Sequence, residues 1–159
     1  ILNEMNKKII LNSLIILSFV ALSFAYFVEF ILGHEPCSLC KIERIPYIGS
    51  IILGSLLLFV NKWEKKLLVI ILLFFVFGSV ISIYHIGIEQ GIFSESLLCE
   101  LGLNSNINNP DELLRTLEKT PVSCKDVTFK IFGLSLATFN AVLSIVVSYI
   151  LFKLIIKNE

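Results

Sequence analysis

The chain has 159 residues, 56% of them hydrophobic, and a formal net charge of zero. That length suits one domain, and the apolar fraction excludes an ordinary soluble protein. A neutral balance without a basic cluster offers nucleic acid no electrostatic footprint.

Four apolar runs account for the excess, roughly residues 9–32, 45–60, 67–87 and 135–156. At about 1.5 Å rise per residue, a run near 20 residues matches a hydrocarbon core of about 30 Å. Lys7 and Lys8 precede the first run, and the SFA at 23–25 resembles a leader cleavage site. The apolar stretch continues to Leu32, however, which is longer than a leader's apolar region, so a retained span is expected. The four residues before Met5 read as an upstream extension carrying no structure.

The first connection contains the stretch GHEPCSLCKIERIPYIG, Gly33 to Gly49. It sets Cys37, Cys40 and Arg44 at the lip of the second run. That run is short, and it reaches spanning length, about 43–61, if its helix starts near the cysteines. A helix beginning near Pro36 places Cys37, Cys40 and Arg44 at i, i+3 and i+7, on one face. Pro46 complicates this, because an interior proline lacks the donor for the carbonyl of Ile42. Either the helix kinks there, or it starts there with the cysteines in a preceding turn. Within the spans, Ser50-x-x-x-Gly54 and Gly78-x-x-x-Ser82 are small-residue pairs that permit close helix approach.

The third connection, about 88–134, is too long to be only a linker. Its NPDELLRTLEK segment predicts a short amphipathic helix over 109–119. Asn109 caps it, Pro110 stands at the first helical position, Glu112 completes a capping box, and Pro121 ends it. Leu113, Leu114 and Leu117 form a stripe that can dock onto the bundle. The following VTFKIFGLSL is apolar but interrupted by Lys130 and Gly133, and is expected to lie along the membrane surface before the last span rises. The expected fold is therefore an all-α integral membrane protein, a single four-helix bundle with one long loop carrying a short amphipathic helix.

Orientation follows from Lys and Arg near the helix ends. Lys7, Lys8, Lys62, Lys65, Lys66, Lys153 and Lys157 crowd one side in short segments. Lys41, Arg44, Arg115, Lys119, Lys125 and Lys130 are spread over far more chain on the other. Both termini are expected to be cytoplasmic. By parity the first and third connections share a side, so Cys37, Cys40, Cys99 and Cys124 all face one compartment, exoplasmic if the termini are inside, where disulfides persist.

Four cysteines on one side permit three readings. Zinc wants converging thiolates, usually from two close pairs, and only one close pair exists here. Covalent haem needs a histidine where Lys41 stands. Two structural disulfides are a second reading, in which closing a Cys99–Cys124 loop contributes about 3 kcal/mol. A thiol–disulfide relay is the third. A Cys-x-x-Cys bridge constrains little chain, and positive charge or a helix N-terminus lowers a thiol's pKa. Arg44 reads as a snorkelling side chain in the first two cases. In the third it can donate hydrogen bonds to the carbonyl oxygen of a lipid-embedded acceptor.

The order and spacing of PCSLCKIER, IYHIGIEQGIFSESLLC and SCKDVTFKIFGLSLATFN resemble the bacterial disulfide-bond formation family DsbB, over nearly the whole chain. The resemblance implies a membrane thiol oxidase of the bacterial inner membrane. It would reoxidise a periplasmic, thioredoxin-fold DsbA-like dithiol oxidase and pass electrons to quinone, either ubiquinone or menaquinone. By motif position, Cys99 would form the mixed disulfide with the partner, and Cys124 would link transiently to Cys37. Cys40 would be the thiolate nearest the quinone, with Arg44 beside it and His85 shaping the pocket or relaying protons. Glu89 is expected to be a solvated carboxylate, and His34 and Glu35 ordinary loop residues. A quinone sink agrees with the energetics. The partner is itself a strong oxidant near about −120 mV, and each 30 mV uphill costs about 1.4 kcal/mol for two electrons. The alternatives are a four-span protein with inert bridges and a vitamin K epoxide reductase-like enzyme. In the latter family the Cys-x-x-Cys lies on the last span, whereas here it precedes the loop pair.

Overall fold

Apolar segments of this length satisfy their backbone in lipid by closing hydrogen bonds within each segment, and the computed structural model of the chain shows that outcome. It describes residues 2–59, 63–94, 123–125, 130–131 and 133–157. Cys99 and the helix expected at 109–119 lie outside the described residues. Helix α1 runs Leu2–Phe30, α2 Ser38–Ile42, α3 Ile45–Phe59, α4 Glu64–Glu89 and α5 Leu136–Lys157. Since α1 begins at Leu2, the expectation that the residues before Met5 carry no structure is overturned. Four stretches are long and apolar enough to cross a membrane: Lys8–Phe30, Ser38–Phe59, Glu64–Glu89 and Leu136–Ile156. The protein is an all-α, four-helix membrane protein.

The second span is composite. With 15 residues, α3 covers only about 22 Å at 1.5 Å per residue, so the short α2 is what completes the crossing. Pro46 falls in the first turn of α3, where a missing N–H leaves no helical bond unmade. The chain turns at Glu43 and Arg44, with the Arg44 N–H donating to the Lys41 carbonyl at 3.2 Å. The cysteines thus belong to a separate small helix, and the spanning helix restarts at Ile45.

Both small-residue pairs lie at helix contacts. The Ser18 and Ser50 hydroxyls are 2.6 Å apart, and a Cβ on Gly54 would meet the Ile15 side chain at 3.0 Å. These contacts seat α3 on α1. A Cβ on Gly78 would meet Pro46 Cγ at 2.9 Å, so glycine is what lets the proline of α3 nest on α4. Ser82 donates to the Gly78 carbonyl at 2.8 Å and accepts from Asn140 of α5 at 2.7 Å. Close approach and interhelical hydrogen bonds replace the hydrophobic drive that lipid cannot supply. Outward faces are apolar, with Ile16, Phe19, Val80 and Phe152 exposed.

The most closely packed helix pairs are α4 with α5, α1 with α3 and α3 with α4. One buried cluster, including Leu14, Leu57, Ile71, Phe75 and Leu151, fills the bundle. A second, Cys37, Leu39, Ile88 and Cys124, lies at the cysteine end. There α4 closes in a Schellman turn. Gly91 has φ +75°, and the Gly91 and Ile92 N–H groups donate to the Ile88 and Gly87 carbonyls at 2.9 and 2.8 Å, so the helix's last carbonyls are satisfied where it meets the site. Before α5, where the sequence suggested a stretch lying along the membrane, the described residues form a two-residue antiparallel ladder. Lys130 pairs with Ser135 and Ile131 with Leu134, so the backbone doubles back sharply before the span begins.

Candidate functional site

Cys37 is the N-cap of α2. Its backbone is extended (φ −65°, ψ 170°), and its sulfur accepts the Cys40 N–H at 3.4 Å. One helical turn then brings the Cys40 sulfur to 3.0 Å from the Cys37 sulfur. Both are free thiols, close enough for a small side-chain rotation to join them. Cys124 is held in a disulfide and is buried in the same cluster as Cys37.

His85, on the last turns of α4, reaches Cys37 from the other side. Its Nε2 lies 3.6 Å from the Cys37 sulfur, and its Nδ1 lies 3.0 Å from Glu43 Oε1. A carboxylate at Nδ1 fixes the proton there in the neutral ring, which leaves the Nε2 lone pair facing the thiol. Taking that thiol's proton yields an imidazolium beside a thiolate, with Glu43 stabilising the cation. The Cys37 thiol is held down to about 4 by the hydrogen bond from Cys40 and by His85, against the opposing effect of burial. Position at the start of a helix acts in the same direction. Glu89 Oε1 stands 3.7 Å from His85 Nε2, with only 11% of its side chain exposed.

These groups sit at one end of a cavity of about 410 Å³. Leu17, Ala21 and Ala25 of α1 and Ala137, Asn140 and Leu143 of α5 are among its lining residues. Cys37, Cys40, Arg44, His85 and Cys124 all line it. Arg44 Nη1 donates to Glu29 Oε2 at 2.5 Å, and its guanidinium lies 4.7 Å from the Tyr26 ring centroid. Deeper in, the Tyr47 hydroxyl donates to Asn140 Oδ1, whose amide donates to Ser82. This polar string ties α3, α5 and α4 together inside an otherwise apolar slot.

Of the residues expected from the sequence, Cys37, Cys40, Cys124, Arg44 and His85 are brought to one cavity, and Cys99 lies outside the described residues. His85 faces Cys37. Glu89 is largely buried beside the imidazole, unlike the solvated carboxylate expected. His34 and Glu35, expected to be plain loop residues, also line the cavity. Glu43, Glu29 and Asn140 were not anticipated. A carboxylate at the edge of an apolar span needs a partner, and that rule flags Glu43 and Glu29 in retrospect. Nothing in the local pattern pointed to their partners.

The family model described as "Disulfide bond formation protein DsbB" matches residues 7–154. A curated relative, the uncharacterized protein RP370 of Rickettsia prowazekii (strain Madrid E), is 33% identical over 144 residues, which cover 87% of this chain and 81% of the relative. No solved structure gives a significant match.

Proposed function

Because the chain belongs to the DsbB family of membrane disulfide-bond formation proteins, we propose that it is a quinone-linked thiol oxidase that reoxidises a DsbA-like dithiol protein. The observation that carries this reading is the Cys37–Cys40 pair at the end of an apolar cavity that Cys124 also lines. In this scheme the partner's thiolate attacks Cys99 of a Cys99–Cys124 disulfide and releases the Cys124 thiolate. The partner's second thiol then displaces Cys99, so that the partner leaves oxidised. The Cys99–Cys124 pair, now reduced, is reoxidised by exchange with a Cys37–Cys40 disulfide. The two thiols so formed at Cys37 and Cys40 close again, releasing two electrons and two protons. His85, oriented by Glu43, takes the Cys37 proton and keeps the sulfur as the nucleophilic thiolate.

The cavity fits such an acceptor. Its volume falls within the usual range for small-molecule sites, about 300–1,000 Å³, its α1 and α5 walls are largely apolar, and Arg44 offers N–H donors where a ring carbonyl needs them. Quinone, when bound, supplies a two-electron, two-proton sink. Tyr26 and Glu29 hold the guanidinium in place. The cysteine end is assigned to the exoplasmic side of a bacterial inner membrane, with both termini cytoplasmic.

The test is turnover. Purified protein mixed with a reduced dithiol partner and ubiquinone bleaches the quinone's absorbance, and Cys40→Ser brings the rate to background. Equal rates for the two proteins, or none for either, would return the cysteines to a structural role.

A further inference from the structure

The sequence offers zinc only one close cysteine pair, but the fold brings a different donor set together. The sulfurs of Cys37 and Cys40 and Nε2 of His85 all lie within 4.8 Å of one another. In a tetrahedral site with bonds of about 2.3 Å to sulfur and about 2.0–2.1 Å to nitrogen, a sulfur and a nitrogen ligand stand roughly 3.6 Å apart and two sulfurs roughly 3.8 Å. The Cys37 sulfur and Nε2 already have that separation, 3.6 Å. The two sulfurs, at 3.0 Å, need to part by roughly 0.8 Å, which a rotation of the Cys40 side chain accomplishes. Glu43 holds the far nitrogen of the imidazole at 3.0 Å, the arrangement that aims ligating histidines at a metal. Glu89 Oε1 lies 3.7 Å from Nε2 and stands outside this three-donor group. The cavity that Cys37, Cys40 and His85 line provides the way in.

We propose that the dithiol form of the protein binds one thiophilic divalent cation of the zinc class through Cys37, Cys40 and His85. Binding exchanges two thiol protons for the metal and changes no oxidation state. With both sulfurs bonded to the cation, neither can close the Cys37–Cys40 bridge, so the metal stalls the cycle proposed above. That consequence rests on the oxidase reading, whereas the binding itself does not.

The experiment uses the full chain in detergent as the Cys99→Ser/Cys124→Ser variant, so that Cys37 and Cys40 are the only thiols. It is reduced, freed of reductant and titrated with Cd²⁺. A sulfur-to-metal charge-transfer band should saturate at one equivalent, yield to Zn²⁺, and be missing once the Cys37–Cys40 bond has been closed. Glu43→Gln should weaken binding about 10–100-fold, as loss of an orienting partner does, and His85→Ala further still. A companion measurement needs no substitution: in the reduced wild-type protein, Zn²⁺ should shield Cys37 and Cys40, but not Cys124, from alkylation read by mass spectrometry. Absence of the band or of the shielding overturns the proposal. So does full affinity in His85→Ala, which would leave a plain dithiol complex. Quinone turnover is read separately in metal-free protein, so a failure of the oxidase reading is distinguishable from a failure of the metal site.

Discussion

The guanidinium of Arg44 is held on two sides, by the Glu29 carboxylate at 2.5 Å and by the Tyr26 ring. Among the described residues Glu29 engages only Nη1, and Arg44 also lines the cavity. An arginine that merely snorkels would not need a carboxylate drawn into the first span, because a charge at that depth is costly unless paired. If the proposed acceptor bonds to Arg44, Arg44→Ala raises its Michaelis constant about tenfold or more, the loss expected for a hydrogen bond to a charged group. The constant for the dithiol partner should stay within about twofold, since no contact to that partner is removed. Glu29→Gln, which keeps an acceptor for Nη1 but removes the charge, should move the quinone constant in the same direction by a smaller factor. An unchanged quinone constant in Arg44→Ala would make Arg44 an anchor only. Cys37, Cys40 and Arg44 were legible in the sequence because they sit together in one short motif. Glu29 was not, since its partner is 15 positions away and the pairing exists only after α1 and α3 have packed.

At the scale of elements, the break between α2 and α3 does two things. It stands Cys37 at the start of its own small helix, and it turns Glu43 to His85 of α4 and Arg44 to Glu29 of α1. A continuous helix through Glu43 and Arg44 would fix neighbouring side chains about 100° apart and could not freely choose both partners. The length of the apolar runs predicted four spans, because span length is dictated by the bilayer. It left the break undecided, since Pro46 is equally compatible with a kink or a new start, and only packing against α4 selects between them. That packing is testable. Gly78→Val drives a branched side chain into Pro46, whose Cγ is already 2.9 Å from the position of a first carbon. Overpacking of this kind costs about 1–3 kcal/mol and should lower the midpoint of thermal unfolding in detergent. An unaltered midpoint would mean that α3 and α4 can separate freely at this crossing.

Across the whole molecule, the two ends of the bundle differ in chemistry. Lys8, Lys65, Lys66 and Lys153 lie toward the end away from the cysteines, where Lys66 sits 4.5 Å over Trp63 and Lys153 4.9 Å over Tyr149. Such aromatic and basic pairs suit a membrane interface. Cys37, Cys40 and Cys124 gather at the other end. In intact inverted and right-side-out vesicles, an impermeant thiol reagent should label the reduced cysteines from the outer face only, and labelling of Cys124 from one side and Cys40 from the other would break the relay. That three of the cysteines share an end followed from counting spans. That they share a cavity did not, because parity fixes sides and says nothing about distance.

The cavity lined by α1 and α5 has a further consequence. If the acceptor is the membrane quinone proposed above, it would reach a site lined by spanning helices by two-dimensional diffusion within the bilayer. The supply that matters is then its mole fraction among the lipids, and a long prenyl tail is no obstacle because it can trail out into the acyl chains. On that proposal the oxidase would take its thiol substrate from water and its oxidant from oil, and the two supplies would not compete for one doorway.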